Sequence, residues 1–191
     1  MKPPPLPLKD LIIFAILGSI MFISHMIMIW IPSVHLIGLF IAAFTLTYRV
    51  RALIPIYLYV MIYGAIYGFS TWWVPYIYIW LPLWGLFMLV GMFKLPVKAK
   101  VPIYMVLCAL HGLSFGILYA PFQAWVFGLS FQGMVAWIIA GIPFDVTHAI
   151  SNLAAGILIV PLSELLIRLS GHSKVLDKQQ NNIVKLNDAD A

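Results

Sequence analysis

Polar and apolar positions alternate in long blocks along this chain. The eleven Lys and Arg residues fall in four short clusters, and between the clusters run three nearly uncharged segments, 10–48, 52–93 and 101–167. About 20 apolar residues suffice for one helical crossing of a bilayer, so each segment can cross out and back. The pattern therefore predicts pairs of membrane helices whose basic ends all lie on one side.

Six transmembrane helices account for this pattern most economically. Turn residues and basic clusters mark their ends: Pro32 and Ser33 separate the first two helices, and Arg49 and Arg51 end the second. The predicted helices cover residues 10–31, 35–48, 52–69, 74–93, 101–119 and 143–168. Segment 121–141 mixes aromatic and polar side chains, and it is predicted to be an outer loop with a short helix.

Composition and charge agree with a membrane protein. With 63% hydrophobic residues, 9% charged residues and a mean hydropathy of +1.03, the chain has too little polar surface for a soluble globule. Basic loops stay cytoplasmic, which predicts a multi-pass protein of the cytoplasmic membrane with both termini inside. Residues 1–168 form the predicted membrane domain, and 169–191 a disordered cytoplasmic tail. Topology explains the net charge of +5, so no nucleic-acid partner is expected.

The most specific chemistry lies at the outer start of the sixth predicted helix. Asp145, His148 and Asn152 share one helix face. Asp145 is the only acidic residue away from the cytoplasmic side, and such a group is costly unless it is paired or lines a cavity. In the alternative interpretation, Asp145 follows Pro143 in the first helical turn, stabilises the helix start and bonds to His148. A substrate site is favoured because Asn152, one turn deeper, has no role in capping.

Aromatic side chains recur at helical spacing along the fourth predicted helix, where an interfacial belt or core packing is the alternative to a ligand role. Together with polar neighbours they could stack on a flat ring and hydrogen-bond its edge. These further candidate substrate-binding residues are Trp72, Trp73, Tyr76, Trp80, Gln123 and Trp125. The outer half has no Lys or Arg to pair with an anion, so the expected ligand is a neutral or cationic nitrogen heterocycle.

Small residues at four-residue spacing allow helices to approach closely in lipid. Gly64 with Gly68, and Gly112 with Gly116, are predicted to serve packing inside the bundle. Ala15 and Ser19 form a comparable patch near the cytoplasmic half of the first helix. This patch is a candidate binding surface for another protein.

The chain resembles a known family in three respects: its six-helix layout, the Ala15-x-x-x-Ser19 patch, and the segment 141–152, GlyIleProPheAspValThrHisAlaIleSerAsn. Over residues 10–168 it is similar to the S component, the substrate-binding membrane subunit of energy-coupling factor (ECF) transporters. The family pattern on helix 1 is Ala-x-x-x-Ala, from which Ser19 departs.

The resemblance implies a specific role. An S component captures a vitamin or vitamin precursor at the outer face, between outer loops and the outer ends of helices 4 to 6. It associates through helix 1 with a transmembrane coupling subunit and two cytoplasmic ATPases. The chain itself has no Gly-x-x-x-x-Gly-Lys-[Ser/Thr] loop for ATP, so it is expected to be no enzyme and to need no cofactor.

Two other functions remain open. A divalent metal uptake subunit could use Cys108, His111 and His148, which lie on neighbouring predicted helices. An intramembrane serine protease could use Ser114, since residues 112–116 match Gly-x-Ser-x-Gly, with His148 as its base. That motif normally sits on a strand-to-helix turn, whereas here it falls within a predicted helix. Outside such a site, His111 and His25 are interpreted as hydrogen-bonding residues between helices.

Overall fold

A computed structural model describes residues 6–93 and 95–170. Across these residues the chain forms eight α-helices and no β-strand. The helices are α1 Leu8–Met28, α2 Ile37–Tyr48, α3 Leu53–Tyr67, α4 Leu81–Val90, α5 Val97–Leu113, α6 Phe115–Phe127, α7 Phe131–Ala155 and α8 Ile159–Ser170. Short 3₁₀ turns occupy Arg49–Ala52, Val74–Ile77 and Gly156–Leu158. The predicted tail begins two residues too early, because α8 includes 169 and 170; the rest of the tail lies outside the described residues.

Four continuous helical segments are long and apolar enough to cross a membrane: Leu8–Met28, Ile37–Tyr67, Lys98–Phe127 and Phe131–Ser170. A fifth apolar segment, Val74–Val90, is shorter. The prediction of an all-helical chain is confirmed, and these segments are compatible with a membrane protein. Four segments, rather than the six predicted, meet the length requirement.

Helix α2 lies at the centre of the bundle. Every residue from Ile37 to Thr45 is buried, and the helix packs against α8, α4, α5 and α7. A helix that is apolar all round belongs in such an interior position. Around it, α1 pairs with α3 and α5 pairs with α7. The turn 29–36 joins α1 to this central helix.

The predicted outer loop 121–141 is wrong, because this segment forms the end of α6 and the first part of α7. Gly128 adopts a left-handed conformation (φ +62°) after α6, and Ser130 caps α7 by accepting the Gly133 N–H at 3.1 Å. These are strong end and start signals for helices. Pro143 therefore lies inside α7 and does not open it.

Close approach of α5 and α6 to α7 depends on glycine. A Cβ atom at Gly112 would lie 2.8 Å from the Ala149 amide nitrogen, and one at Gly116 would collide with the Asp145 carboxylate. This agrees with the predicted packing role of the pair. In α3, Gly64 lies beneath the Phe69 and Trp73 rings, whereas Gly68 ends the helix with a positive φ and has open space around it.

The start of α1, the α2–α3 turn and the end of α8 meet at one end of the bundle. Asp10 and Arg51 form an ion pair of 3.2 Å there, and Arg49 donates a hydrogen bond to the Met88 carbonyl at 2.9 Å. A cavity of about 390 Å³ lies between these elements, lined by Asp10, Arg49, Arg51 and Ser170 among others. The start of α1 and the end of α8 therefore lie at the same end of the bundle as Arg49 and Arg51.

Candidate functional site

A cavity of about 240 Å³ lies at the opposite end of the bundle, beside the turn 29–36. Five elements besides this turn contribute to it: the end of α1, the start of α2, the segment before α4, the start of α6 and the middle of α7. Its polar and aromatic lining residues are His25, Ser33, His35, Tyr76, Trp80, Phe115 and His148. Such a concave, aromatic site with a few polar groups has the composition of a small-molecule binding site.

Two histidines form the polar side of this cavity. The Nε2 atoms of His35 and His148 lie 2.9 Å apart, and the ring centroids are separated by 4.7 Å. One ring must donate and the other accept, so this bond requires at least one neutral imidazole. The backbone of His35 also bonds to Ser151 of α7. The His35 amide donates to Ser151 Oγ at 3.3 Å, and the Ser151 hydroxyl lies 3.4 Å from the His35 carbonyl, to which it can donate. The turn 29–36 is thereby attached to α7 through one residue.

His35 makes folding sensitive to pH. Burial, reinforced by the neighbouring His148, lowers the pKa of His35 well below its usual range. The unfolded chain then binds a proton near pH 6.5 that the folded chain does not, so stability is lost as the pH falls below about 6.5. We expect the melting temperature to drop between pH 7.5 and 5.5, and to drop less in His35→Gln. An equal drop in both proteins would contradict this assignment.

The aromatic side of the cavity surrounds Trp80. Its ring lies 5.7 Å from Tyr76 and 6.0 Å from Phe115, and Phe115 lies 4.7 Å from His148, all between centroids. These rings offer flat surfaces on which a planar ligand can stack. His25 closes another side, where its Nδ1 is hydrogen-bonded to the Tyr59 hydroxyl at 2.8 Å. This contact agrees with its predicted role between helices.

Unsatisfied polar atoms concentrate at this cavity. Within the described residues, four buried side-chain nitrogen or oxygen atoms have no hydrogen-bond partner: His35 Nδ1, Trp80 Nε1, His148 Nδ1 and Asn152 Oδ1. Three of the four belong to residues that line the cavity. A buried polar group without a partner costs about 1–3 kcal/mol, so such groups are retained where something else binds them. Their position indicates a site for a ligand with its own donors and acceptors.

The structure brings three of the predicted substrate-binding residues together here, namely Tyr76, Trp80 and His148. Two more lie just before this segment, in the loop after α3. Trp73 donates its indole N–H to the Val60 carbonyl at 2.8 Å, and the Trp72 carbonyl accepts the Tyr119 hydroxyl at 2.6 Å. Neither of these two is among the residues around the cavity.

The remaining aromatic and amide candidates lie on α6. Gln123 and Trp125 are outside the cavity lining, and Trp125 is 78% exposed. Their predicted role in substrate binding assumed that segment 121–141 forms an outer loop with a short helix. The continuous helix α6 instead carries them beyond the cavity.

Asn152 lies one turn deeper than His148 and ties three helices together. Its amide nitrogen donates to the Cys108 carbonyl of α5 at 3.1 Å, and its oxygen lies against Gly38 of α2. The side chain is buried at 3% exposure. Asn152 therefore packs and hydrogen-bonds between helices beneath the cavity, and it is not among the lining residues.

Asp145 stabilises the start of another helix. Both of its carboxylate oxygens lie 3.1 Å from the Gly116 amide, in the first turn of α6, where the Ser114 side chain makes no capping bond. A carboxylate at this position satisfies a free amide and suits the helix dipole. The alternative in which Asp145 stabilises the first turn of its own helix is wrong, because α7 begins at Phe131.

A second cavity, of about 380 Å³, lies against Asp145. It is lined by Ser33, Phe115, Gly116, Trp137, Ala140, Gly141, Phe144, Asp145 and His148. Ser33, Phe115 and His148 also line the first cavity, so the two spaces have walls in common. Sequence reasoning did not identify Trp137, Phe115 or His35. The only available signal for His35 was an ionisable residue two positions after the Pro32–Ser33 turn.

Comparison with known proteins does not identify a family for this chain. No protein-family model matches the chain, and no curated protein or solved structure is significantly similar to it. The cavities and their side chains are therefore the basis for assigning a role.

The two alternative chemistries gain no support from geometry. Among residues 6–93 and 95–170 no group of three or more His, Cys, Asp or Glu side chains is placed to hold a metal ion. Cys108 approaches the Gly38 carbonyl at 3.7 Å, and His111 donates to the Ile79 carbonyl at 2.8 Å. The Ser114 hydroxyl donates to the His111 carbonyl at 2.9 Å, within its own helical turn.

Proposed function

We propose that this protein is the substrate-capturing membrane subunit of an ATP-driven importer, an S component of an ECF transporter, which binds a vitamin or vitamin precursor at the outer face. The observation that carries the proposal is the group of unpartnered polar atoms on His35, Trp80 and His148 around an aromatic cavity. A volume of about 240 Å³ suits one small heterocyclic ring system. The subunit captures this ligand without transforming it.

The proposed topology has six crossings, with both termini in the cytoplasm. Dividing Ile37–Tyr67 at the Arg49–Ala52 turn gives two crossings, and Val74–Val90 with its flanking residues gives another. The ion pair of Asp10 with Arg51, at the end where α8 finishes, supports a common side for both ends. The basic residues there favour the cytoplasmic side.

Binding and uptake are tested separately. We expect one compound from a panel of vitamins and precursors to quench the tryptophan fluorescence of the detergent-solubilised protein saturably, because Trp80 lines the cavity. Cells that express the coupling subunit and both ATPases with this chain should import the same compound. Saturable binding without uptake would contradict the importer proposal, and uptake without binding would contradict the assignment of the cavity.

Helix α1 carries the proposed contact with the coupling subunit. Ala15 is exposed, and the Ser19 hydroxyl donates to the Ala15 carbonyl at 2.9 Å, so its polar atom is satisfied within the helix. The patch is therefore small and flat, with exposed large apolar side chains such as Ile12 and Ile16 beside it. Close helix approach in lipid requires such a surface.

Ala15→Trp and Ser19→Trp are expected to abolish uptake and leave ligand binding unchanged, because a large ring blocks close approach of the partner helix. Radiolabelled uptake in cells and fluorescence titration of the purified protein measure the two activities. Ile27→Trp is the matched control, since this residue is 73% exposed at the other end of α1. Loss of binding in the patch variants, or equal loss of uptake in the control, would contradict the division of roles.

A further inference from the structure

Building on the proposed function, we propose that the ligand has two parts, and that an organic cation in its second part binds in the cavity beside Asp145. The two cavities lie side by side. Phe115, His148 and Ser33 line both spaces, so a ligand that contacts these residues from one cavity is adjacent to the other. The second cavity has a carboxylate, that of Asp145, and the first cavity has none.

Asp145 has no cationic partner among the described residues. The residue is only 6% exposed, and its described hydrogen bonds all come from the Gly116 amide. The ion pair found in the described part of the chain joins Arg51 and Asp10 at the opposite end. A carboxylate can accept about four hydrogen bonds and carries a full negative charge that is costly to bury unpaired. Asp145 therefore retains both acceptor capacity and charge for a ligand.

Aromatic side chains line the cavity beside the Asp145 carboxylate. Trp137, Phe115 and Phe144 line the same cavity, and Trp137 stacks on Tyr119 at 5.9 Å with an interplanar angle of 14°. Aromatic faces attract organic cations, and a nearby carboxylate adds direct charge pairing. An inorganic cation would need several oxygen ligands, which a wall of carbon surfaces does not provide.

These features define a class of ligand. Its first part is a neutral planar heterocycle whose edge pairs with the nitrogens of His35, His148 and Trp80. Its second part is a quaternary ammonium or an N-alkylated aromatic ring, small enough for about 380 Å³. A phosphate or carboxylate in the second part would meet the charge of Asp145 and is rejected.

Benzyltrimethylammonium tests the second cavity directly, because it combines a flat ring with a permanent positive charge. Its neutral carbon isostere, neopentylbenzene, controls for apolar partition. We expect the cation to quench tryptophan fluorescence saturably. Its apparent affinity should be at least tenfold lower in Asp145→Asn. It should be unchanged in Asp10→Asn, in which a different carboxylate is replaced. The isostere should bind the native protein and Asp145→Asn equally.

Folding is controlled in the same experiment. Asparagine keeps an oxygen that accepts the Gly116 amide, and Trp137→Leu leaves the carboxylate in place while removing the cation-binding face; both variants should melt cooperatively and both should weaken cation binding. Equal binding of the cation to the native protein and Asp145→Asn, or no saturable binding to the native protein, would overturn the inference. The proposed function would survive either result if a panel compound still binds in a manner sensitive to His148, and would fall if none does.

Discussion

Gly112→Ala is expected to lower the melting temperature of the purified protein strongly, with a loss of about 1–3 kcal/mol of stability. The added Cβ would lie 2.8 Å from the Ala149 nitrogen and 2.9 Å from the His148 carbonyl carbon. Both are backbone atoms of α7, so relief requires α5 and α7 to separate rather than a side chain to rotate. Because His148 belongs to the cavity wall, the same shift should weaken ligand binding.

Gly141→Ala is the matched control for this substitution. Gly141 also lies in a helix, α7, but a Cβ there would meet no atom within 4 Å. Alanine has the higher helix propensity, so the control should be neutral or slightly stabilising. Similar melting temperatures for the two variants, measured by thermal unfolding in the same detergent, would show that close α5–α7 packing does not hold the bundle together.

His148→Phe is expected to weaken ligand binding by about 100-fold. Phenylalanine keeps a flat ring against Phe115 but cannot bond to His35, whose nitrogen then loses its partner at 2.9 Å. It also removes one of the nitrogens offered to the ligand. The ligand loses its bond to His148, and it also loses its bond to His35, because the imidazole pair no longer holds the His35 ring in place. Two ligand hydrogen bonds of about 1.5 kcal/mol each correspond to about two factors of ten in affinity.

Val146→Phe controls for added ring volume on the same helix, since Val146 is exposed outside the two cavities. Its affinity in the fluorescence titration should equal that of the native protein. His148→Phe should remain folded, with a cooperative melt. If His148→Phe bound the ligand with native affinity, the assignment of the His35–His148 pair to the ligand site would be wrong.

The helical nature of the chain could be predicted because long apolar blocks and basic clusters are local features. The start of α7 could not be predicted from the sequence. Pro143 follows a mixed aromatic and polar segment and has the sequence of a helix start, whereas the true start is the short signal Gly128-Leu-Ser130. Proline is tolerated inside membrane helices, so Pro143 by itself does not mark a helix start.

The site was predictable only in part for a related reason. Tyr76 and Trp80 share a local periodicity, and His148 shares a helix face with Asp145, so sequence spacing identifies them. The pairing of His35 with His148, and of Asp145 with the Gly116 amide, depends on contacts between distant parts of the chain. Such contacts arise from helix packing, which no spacing in the sequence records.

In the proposed function, the cavity around Trp80 and His148 binds the transported ligand. Native mass spectrometry of the purified protein with the panel compound that quenches its fluorescence tests this most directly. We predict one bound molecule per chain on the native protein and on Val146→Phe, and none at the same concentration on His148→Phe. Equal occupancy of all three proteins would place the ligand outside the cavity around Trp80 and His148, and would contradict the proposed binding site.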